Sequence, residues 1–224
     1  MLAHPFRILM SLLCLFLPWP LRRHALIRFL GFAIDPSARI GCSLVLSERL
    51  VMKARARILH CTVIGGVELL KMEEDSIIGN FNTICGALQN TPYFMHQPGR
   101  RAELILGRHA AITSHHFLDC TNRIALGQFT TIAGVRSTFL THSVDFRLNR
   151  QDSGAITIGD YCFIGTDCTV LKGADLPSYS ILGAKSLLNK AFAQSGLYGG
   201  VPAKHIADLD SDLAYMSRES GHVF

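Results

Sequence analysis

From Ile156 to Lys190 the chain reads ITIGDYCFIGTDCTVLKGADLPSYSILGAKSLLNK, and within it Ile158, Ile164, Val170, Leu176, Leu182 and Leu188 recur at every sixth residue. Neither the helical period nor strand alternation produces a spacing of six. Companion positions repeat in step. Gly159, Gly165 and Gly183 directly follow their aliphatics, and Cys162, Cys168, Ala174, Ser180 and Ser186 stand four places after theirs. Such a hexad is one short strand plus a turn. The aliphatic points inward, the small residue fits a narrow corner, and glycine is expected to supply the turn's backbone angles. Three hexads close one triangular coil, whose backbone groups find partners only in the coils above and below. The predicted fold is therefore all-β, a parallel β-helix of stacked coils.

Working outward, the same phase recurs in Ile34/Ile40, Ile58/Ile64, Ile78/Ile84 with Gly79, and Leu106/Ile112/Leu118 with Gly107. After a two-residue shift it resumes at Leu126/Ile132 with Gly127. The β-helix domain is assigned to residues 34–206. Two polar, turn-rich stretches break the phase, QNTPYFMHQPGRR at residues 89–101 and THSVDFRLNRQDSG at residues 141–154. Both are expected to leave the prism as loops, where binding and catalytic residues concentrate. Residues 207–224, with Leu209, Leu213 and Met216 near helical spacing, are expected to form a short helix capping the open end.

The chain has 224 residues, 49% of them hydrophobic, which suits a single domain. Its net charge of +5 is not gathered into a basic run, which gives no support to nucleic-acid binding. Seven cysteines stand singly at positions 14, 42, 61, 85, 120, 162 and 168. An odd, unpaired set implies a reducing, cytoplasmic compartment rather than a disulfide framework. In residues 1–33, the apolar run Ile8–Leu17 is shorter than a membrane span needs, and no small-x-small cleavage site follows it. Arg7, Arg22, Arg23 and Arg28 flank it together with Trp19 and Phe29. That pattern predicts a helical interfacial segment making peripheral membrane contact, the alternative being packing on the chain's own domain or on a neighbouring subunit.

The stretch from Ile156 to Lys190, followed by Gly199-Gly200-Val201-Pro202-Ala203-Lys204-His205-Ile206, resembles the hexapeptide-repeat acyltransferases. These include the galactoside/maltose, serine and polysaccharide-biosynthesis acetyltransferases. The resemblance implies a left-handed β-helix, use of acetyl-CoA as donor, a sugar-type acceptor, no metal, and a homotrimer with each donor site between two subunits. Phe139-Leu140-Thr141-His142-Ser143-Val144-Asp145 is similar to the family's catalytic-histidine loop. By the same likeness Gly165, Gly183 and Ala184 stand at groove positions for the pantetheine arm. Lys204 stands where the family places a cation for the nucleotide phosphates, with Lys185 and Lys190 as further candidates. The chain departs from many sugar acetyltransferases at Phe163, where they carry Trp, and at Gly134-Val135, where they carry Asn, so the resemblance leaves the acceptor open.

The residues alone point the same way. Acyl transfer from a thioester to a hydroxyl needs a base to take the hydroxyl proton, and an imidazole titrates in the right range. His142 is a lone histidine in a polar loop. A carboxylate should fix its tautomer, with Asp145 the first candidate and Asp119, in Ser114-His115-His116-Phe117-Leu118-Asp119-Cys120, the second. His115 and His116 are candidates to line the acceptor groove. No cysteine falls in the histidine loop, so an acyl-thiol intermediate is not expected. A zinc site of the γ-carbonic-anhydrase type lacks its histidine pair, since Arg147 stands five residues after His142. The remaining alternative is an inactive β-helix scaffold.

Overall fold

A computed structural model describes residues 5–210 and 212–221. Parts of the expected N-terminal segment (residues 1–4) and of the expected tail (residue 211 and residues 222–224) lie outside the described residues. The strands form a three-sided prism of parallel sheets. The first face has seven strands, from Ala33–Ile34 to Asp175–Leu176. The third also has seven, from Leu44–Leu46 to Leu187–Leu188. The second has nine, starting at Arg39–Ile40 and ending in an antiparallel hairpin of Leu197–Gly199 with Lys204–Ala207.

The hexads explain the register. Ile158 pairs with Leu176, Ile164 with Leu182 and Val170 with Leu188, each pair eighteen residues apart. These aliphatics and the small corner residues Cys162, Cys168, Ala174, Ser180 and Ser186 are buried. The first coil has the same length, Ile34 pairing with Met52 and Ile40 with Ile58, but coils between these ends are longer. Met52 pairs with Met72 and Ile112 with Ile132, twenty residues apart. The first-face strands there turn two side chains inward, Leu50 with Met52, Leu70 with Met72 and Ile124 with Leu126, and the last pair produces the two-residue phase shift seen after Leu118.

Two expectations about local structure are corrected. The hexad glycines do not supply left-handed turns. The non-glycine residues with positive φ at the corners are Arg55, Asp75, His109, Phe129, Tyr161 and Tyr179 along one edge and Cys61, Phe81, His115, Arg136, Asp167 and Lys185 along another, and the corner glycines with positive φ, Gly66, Gly134 and Gly173, lie outside the hexad positions. Glycine is needed instead for close stacking: a Cβ on Gly165 would sit 2.6 Å from the backbone N of Ala184 in the next coil. The C-terminal helix is likewise reduced to one 3-10 turn, Ala214–Ser217. The end of the prism is already closed by Phe192 stacked on Tyr198 at 4.1 Å. The tail lies along an aromatic edge instead, with the Arg218 guanidinium 3.7 Å from Tyr215 and over Phe129 and Tyr161.

The other end is covered by two helices, α1 (Pro5–Cys14) and α2 (Trp19–Leu30). Three of the four arginines read as headgroup contacts turn inward. Arg22 donates to Gly41 O and Ser43 O at 2.6 and 2.7 Å, Arg7 to Ser47 O and Glu48 O at 3.0 and 2.9 Å, and Arg23 to Ile34 O. Carbonyls at the open end of a parallel stack lack strand partners, so the cations stabilise that end by supplying donors. Arg28 alone stays exposed.

Candidate active site

Both phase breaks leave the prism at the corner where the third face turns into the first. The earlier excursion connects Thr83–Cys85 to Glu103–Leu106 and contains a 3-10 turn, Pro92–Phe94. The later one is a hairpin, His142–Asp145 paired with Arg150–Ser153. Between them the corner of the intervening coil carries Asp119 and Thr121. The three together enclose a cleft of about 300 Å³ lined by Cys85, Gly86, Ala87, Tyr93, Phe94, Asp119, Thr121, His142 and Gln151.

Side chains hold the two excursions together. Gln97 Nε2 donates to Asp152 Oδ1 at 2.8 Å, and Ser153 Oγ donates to Gln97 Oε1 at 2.7 Å. Asn122 Nδ2 donates to Ser153 Oγ at 3.0 Å, and Lys172 pairs with Asp152.

His142 Nδ1–H donates to Asp119 Oδ2 at 2.6 Å. Asp119 is 3% exposed and is further fixed by Thr121 Oγ1 at 2.6 Å and by the backbone N–H of Thr141 at 3.0 Å. Burial opposes ionisation of this carboxyl. Hydrogen bonds from His142 and Thr121, with the charge of His142, outweigh it and hold the pKa below the usual range. The Asp119 hydrogen bond raises the pKa of His142 against the opposing effects of burial and of the Arg100 and Lys172 charges. The imidazole side chain is 41% exposed. With Nδ1–H committed to the carboxylate, the neutral ring presents an unprotonated Nε2.

The preferred order of orienting carboxylates is thus corrected. Asp145 accepts from its own turn, Arg147 N at 2.9 Å and Leu148 N at 3.2 Å, because an Asp at that position satisfies the hairpin backbone first. His115 and His116 are also separated from the cleft: they occupy the corner between the second and third faces, across the sheet from His142. His116 is buried and neutral, its pKa lowered to about 4 by burial. It accepts from Ser137 N and lies 2.9 Å from Thr113 Oγ1. His115 stacks on Phe81 at 4.8 Å.

That same corner brings together Gly165, Gly183, Ala184 and Lys185. The terminal hairpin bearing Lys204 stacks on it, since Gly183 N bonds Tyr198 O and Leu187 N bonds Gly200 O. Lys185, Lys190 and Lys204 are all exposed, and Lys190 lies over Phe192 at 5.2 Å. Phe163, at the expected Trp position, meets Tyr215 of the tail edge-on at 5.8 Å and is far from the histidine corner.

One cysteine does reach the cleft. Cys85, which lies outside the histidine loop, lines it, but burial and the nearby Asp119 charge push its thiol pKa up, so the nucleophilic thiolate is disfavoured. Among the described residues no group of three His, Cys, Asp or Glu side chains is placed to hold a metal ion. Phe94, Gln97, Arg100, Ser153 and Asp152 were not singled out from the sequence. Each lies in a flagged loop, but contacts spanning fifty residues leave no local pattern.

No protein-family model matches the chain, and a search of curated proteins gives no significant match. Solved structures do match. The chain is similar to the polysialic acid O-acetyltransferase OatWY, with 12% identity, a TM-score of 0.61, and coverage of 82% of this chain and 90% of that one. It is similar to a mutant of AntD, an N-acyltransferase from Bacillus cereus in complex with dTDP-4-amino-4,6-dideoxyglucose and coenzyme A, with 14% identity, a TM-score of 0.53, and coverage of 80% and 87%. A hexapeptide-repeat containing acetyltransferase from Vibrio cholerae matches at 15% identity and a TM-score of 0.51, over 92% of this chain and 89% of that one. The chain has the left-handed parallel β-helix fold of hexapeptide-repeat proteins.

Proposed function

We propose that this protein is an acyltransferase that moves an acetyl group from acetyl-CoA to a hydroxyl of a sugar or polysaccharide precursor, with His142 as general base. The observation that carries the reading is the 2.6 Å contact between Asp119 and His142 in a cleft roofed by two loops. Nε2 of His142 takes the acceptor's hydroxyl proton as the oxygen attacks the thioester carbonyl carbon. The C–S bond then breaks, and the imidazolium returns the proton to the coenzyme A thiolate. The structural neighbours named above, which act in O-acetyl and N-acyl transfer and include a complex with an amino-sugar nucleotide and coenzyme A, support the class.

In this reading the donor binds between two copies of the chain. Gly165, Gly183, Ala184, Lys185 and Lys204 line one edge of the third face and His142 the other. The face is about three residues, or roughly 10 Å, wide. Its outward side chains include Leu44, Leu46, Val63, Phe117, Leu140 and Leu171, an apolar surface on a sheet that otherwise needs a covering layer. In a homotrimer with third faces turned to the axis, the histidine edge of one subunit meets the lysine edge of the next. Lys204 and Lys185 then hold phosphates of the coenzyme A whose thioester reaches the neighbour's His142.

Among the described residues no helix is long and apolar enough to cross a membrane. The helical cap nonetheless exposes Phe6, Leu9, Leu13 and Phe16 in a row, and this row rests on a lipid surface in the proposed reading. The unpaired cysteines fit work on the cytoplasmic side.

The test is coenzyme A release from acetyl-CoA, followed with a thiol-reactive dye, against a panel of sugars and sugar nucleotides. Acceptor-dependent release that falls about a hundredfold or more in His142→Ala establishes the reaction and the base together. Absence of both acetyl-CoA binding and turnover would leave a β-helix scaffold as the better reading.

A further inference from the structure

Arg100 is only 3% exposed, and among the described residues no carboxylate is its hydrogen-bond partner. Its guanidinium instead donates to three carbonyls: Nη1 to Ala87 O and Thr121 O, and Nη2 to Leu88 O at 2.8 Å. Ala87 and Leu88 begin the first excursion and Arg100 lies near its end. Thr121 belongs to the coil beneath, where its hydroxyl donates to Asp119. One side chain thus ties both ends of the loop to the floor of the cleft.

The same guanidinium lies over the ring of Phe94, 4.6 Å from its centroid. Phe94 is buried and stands perpendicular to the imidazole of His142, at 89° and a centroid separation of 6.2 Å. Burial disfavours this cation, and although the charges of Glu68 and Asp119 oppose that effect neither carboxylate bonds it directly, so neutral groups could anchor the loop at lower cost. What a planar fork adds is simultaneous contact with several carbonyls and an aromatic face, which a lysine ammonium cannot reproduce. His142 has the most to gain, because its side chain is partly open to solvent and only Nδ1 is held.

We propose that Arg100 is a positioning residue for His142 that acts through Phe94: the guanidinium fixes the phenyl ring, and the ring blocks the rotamers that would carry the imidazole away from Asp119. The assignment of His142 as a base rests on the acyltransferase reading. The mechanical link does not.

The experiment compares wild type, Arg100→Lys, Phe94→Leu and the double variant. Three readouts are taken on each: kcat and KM for acetyl transfer, the rate of carbethoxylation of His142 by diethyl pyrocarbonate, and the melting temperature. Each single variant should lose about tenfold in kcat while KM for acetyl-CoA changes less than about twofold. His142 should be carbethoxylated several-fold faster in both. The double variant should be no worse than the worse single one, because both act through one contact. Phe94→Tyr should restore most of the rate. Additive losses, or folded variants in which His142 reacts at the wild-type rate, would overturn the proposal. Should Arg100→Lys fail to fold, Phe94→Leu and Phe94→Tyr decide the ring's role, and Arg100→Gln replaces it in the cycle. If wild type transfers no acyl group to any acceptor, the functional reading fails, and the carbethoxylation rates still decide the link between Arg100, Phe94 and His142.

Discussion

Asp119 and His142 stand twenty-three positions apart in sequence and 2.6 Å apart in space, because consecutive coils place the end of one third-face strand beside the start of the next corner. This pairing raises the pKa of His142, so the base form is gained only as pH rises past a value above the ordinary figure of about 6.5. The acid limb of the kcat/KM profile should therefore lie above that of a free imidazole. Asp119→Asn removes the charge and the charge-assisted hydrogen bond, leaving burial, Arg100 and Lys172 to act together in the lowering direction. Its acid limb should move to lower pH while kcat falls about a hundredfold or more, since the tautomer is no longer held by an anion. A pH–rate profile of both proteins checks this, and an acid limb that stays in place would exclude Asp119 as the partner.

Gly165 and Gly65 separate close stacking from backbone freedom. Neither has a left-handed φ, yet a Cβ on Gly165 meets Ala184 N at 2.6 Å and one on Gly65 meets nothing within 4 Å. Gly165→Ala should cost about 1–3 kcal/mol, as overpacking does. Gly65→Ala should be neutral or slightly stabilising, because it restricts the unfolded chain. Urea unfolding of the two variants provides the comparison, and equal effects would count against the stacking argument.

The prism was legible because every hexad repeats the same demand, an inward aliphatic and a small corner, so errors at single positions do not matter. The corner glycines were misread because a local pattern shows that a side chain is excluded without showing whether angle or contact excludes it. At the site, His142 was legible from its loop, but the choice between Asp145 and Asp119 was not. Sequence proximity favoured Asp145, whereas the turn amides at Arg147 and Leu148 claim that carboxylate. His115 and His116 lie at a different corner from His142, and a separation of about one coil does not say which of three corners a residue occupies. Phe94 and Arg100 carried no signal beyond their loop, since their roles arise only when two excursions meet.

The helical cap depends on inward arginines more than its apolar run suggests. Arg22→Met removes the donor to Ser43 O at the open end of the stack, together with a second bond to Gly41 O. A loss of about 2–4 kcal/mol is expected for charged hydrogen bonds to buried carbonyls. Exposed Arg28→Met should change stability by less than about 0.5 kcal/mol. The pair can be ranked by chemical denaturation with unchanged m-values, and comparable losses would mean that the bonds at Arg22 contribute little.

A site shared between subunits makes a prediction that a self-contained site does not. In the proposed homotrimer, Lys204→Ala and His142→Ala should each be impaired, the first in binding acetyl-CoA and the second in kcat. If they are dissociated and reassembled together, some interfaces combine the intact lysine edge of one chain with the intact histidine edge of the other, and activity should recover to an appreciable fraction of wild type. Phe117→Asp, on the apolar third face, should yield monomers by sedimentation velocity and abolish this recovery. Mixed preparations no more active than their parents would place both edges' functions within one chain.

The exposed row Phe6, Leu9, Leu13 and Phe16 follows helical spacing on the outer side of the cap, while Arg7, Arg22 and Arg23 are engaged with backbone carbonyls on the inner side. Binding to a lipid surface through this row should accordingly depend on apolar burial more than on headgroup charge. Co-sedimentation with vesicles should be retained at high salt and should differ little between neutral and anionic lipid, because long-range attraction by the flanking arginines is largely spent within the fold. Leu13→Asp with Phe16→Asp should release the protein from vesicles without lowering its melting temperature, since neither side chain is buried in the cap. Release by salt alone would instead point to Arg28 and the surface charge as the anchor. Persistence of vesicle binding in the double variant would remove the helix row from the account.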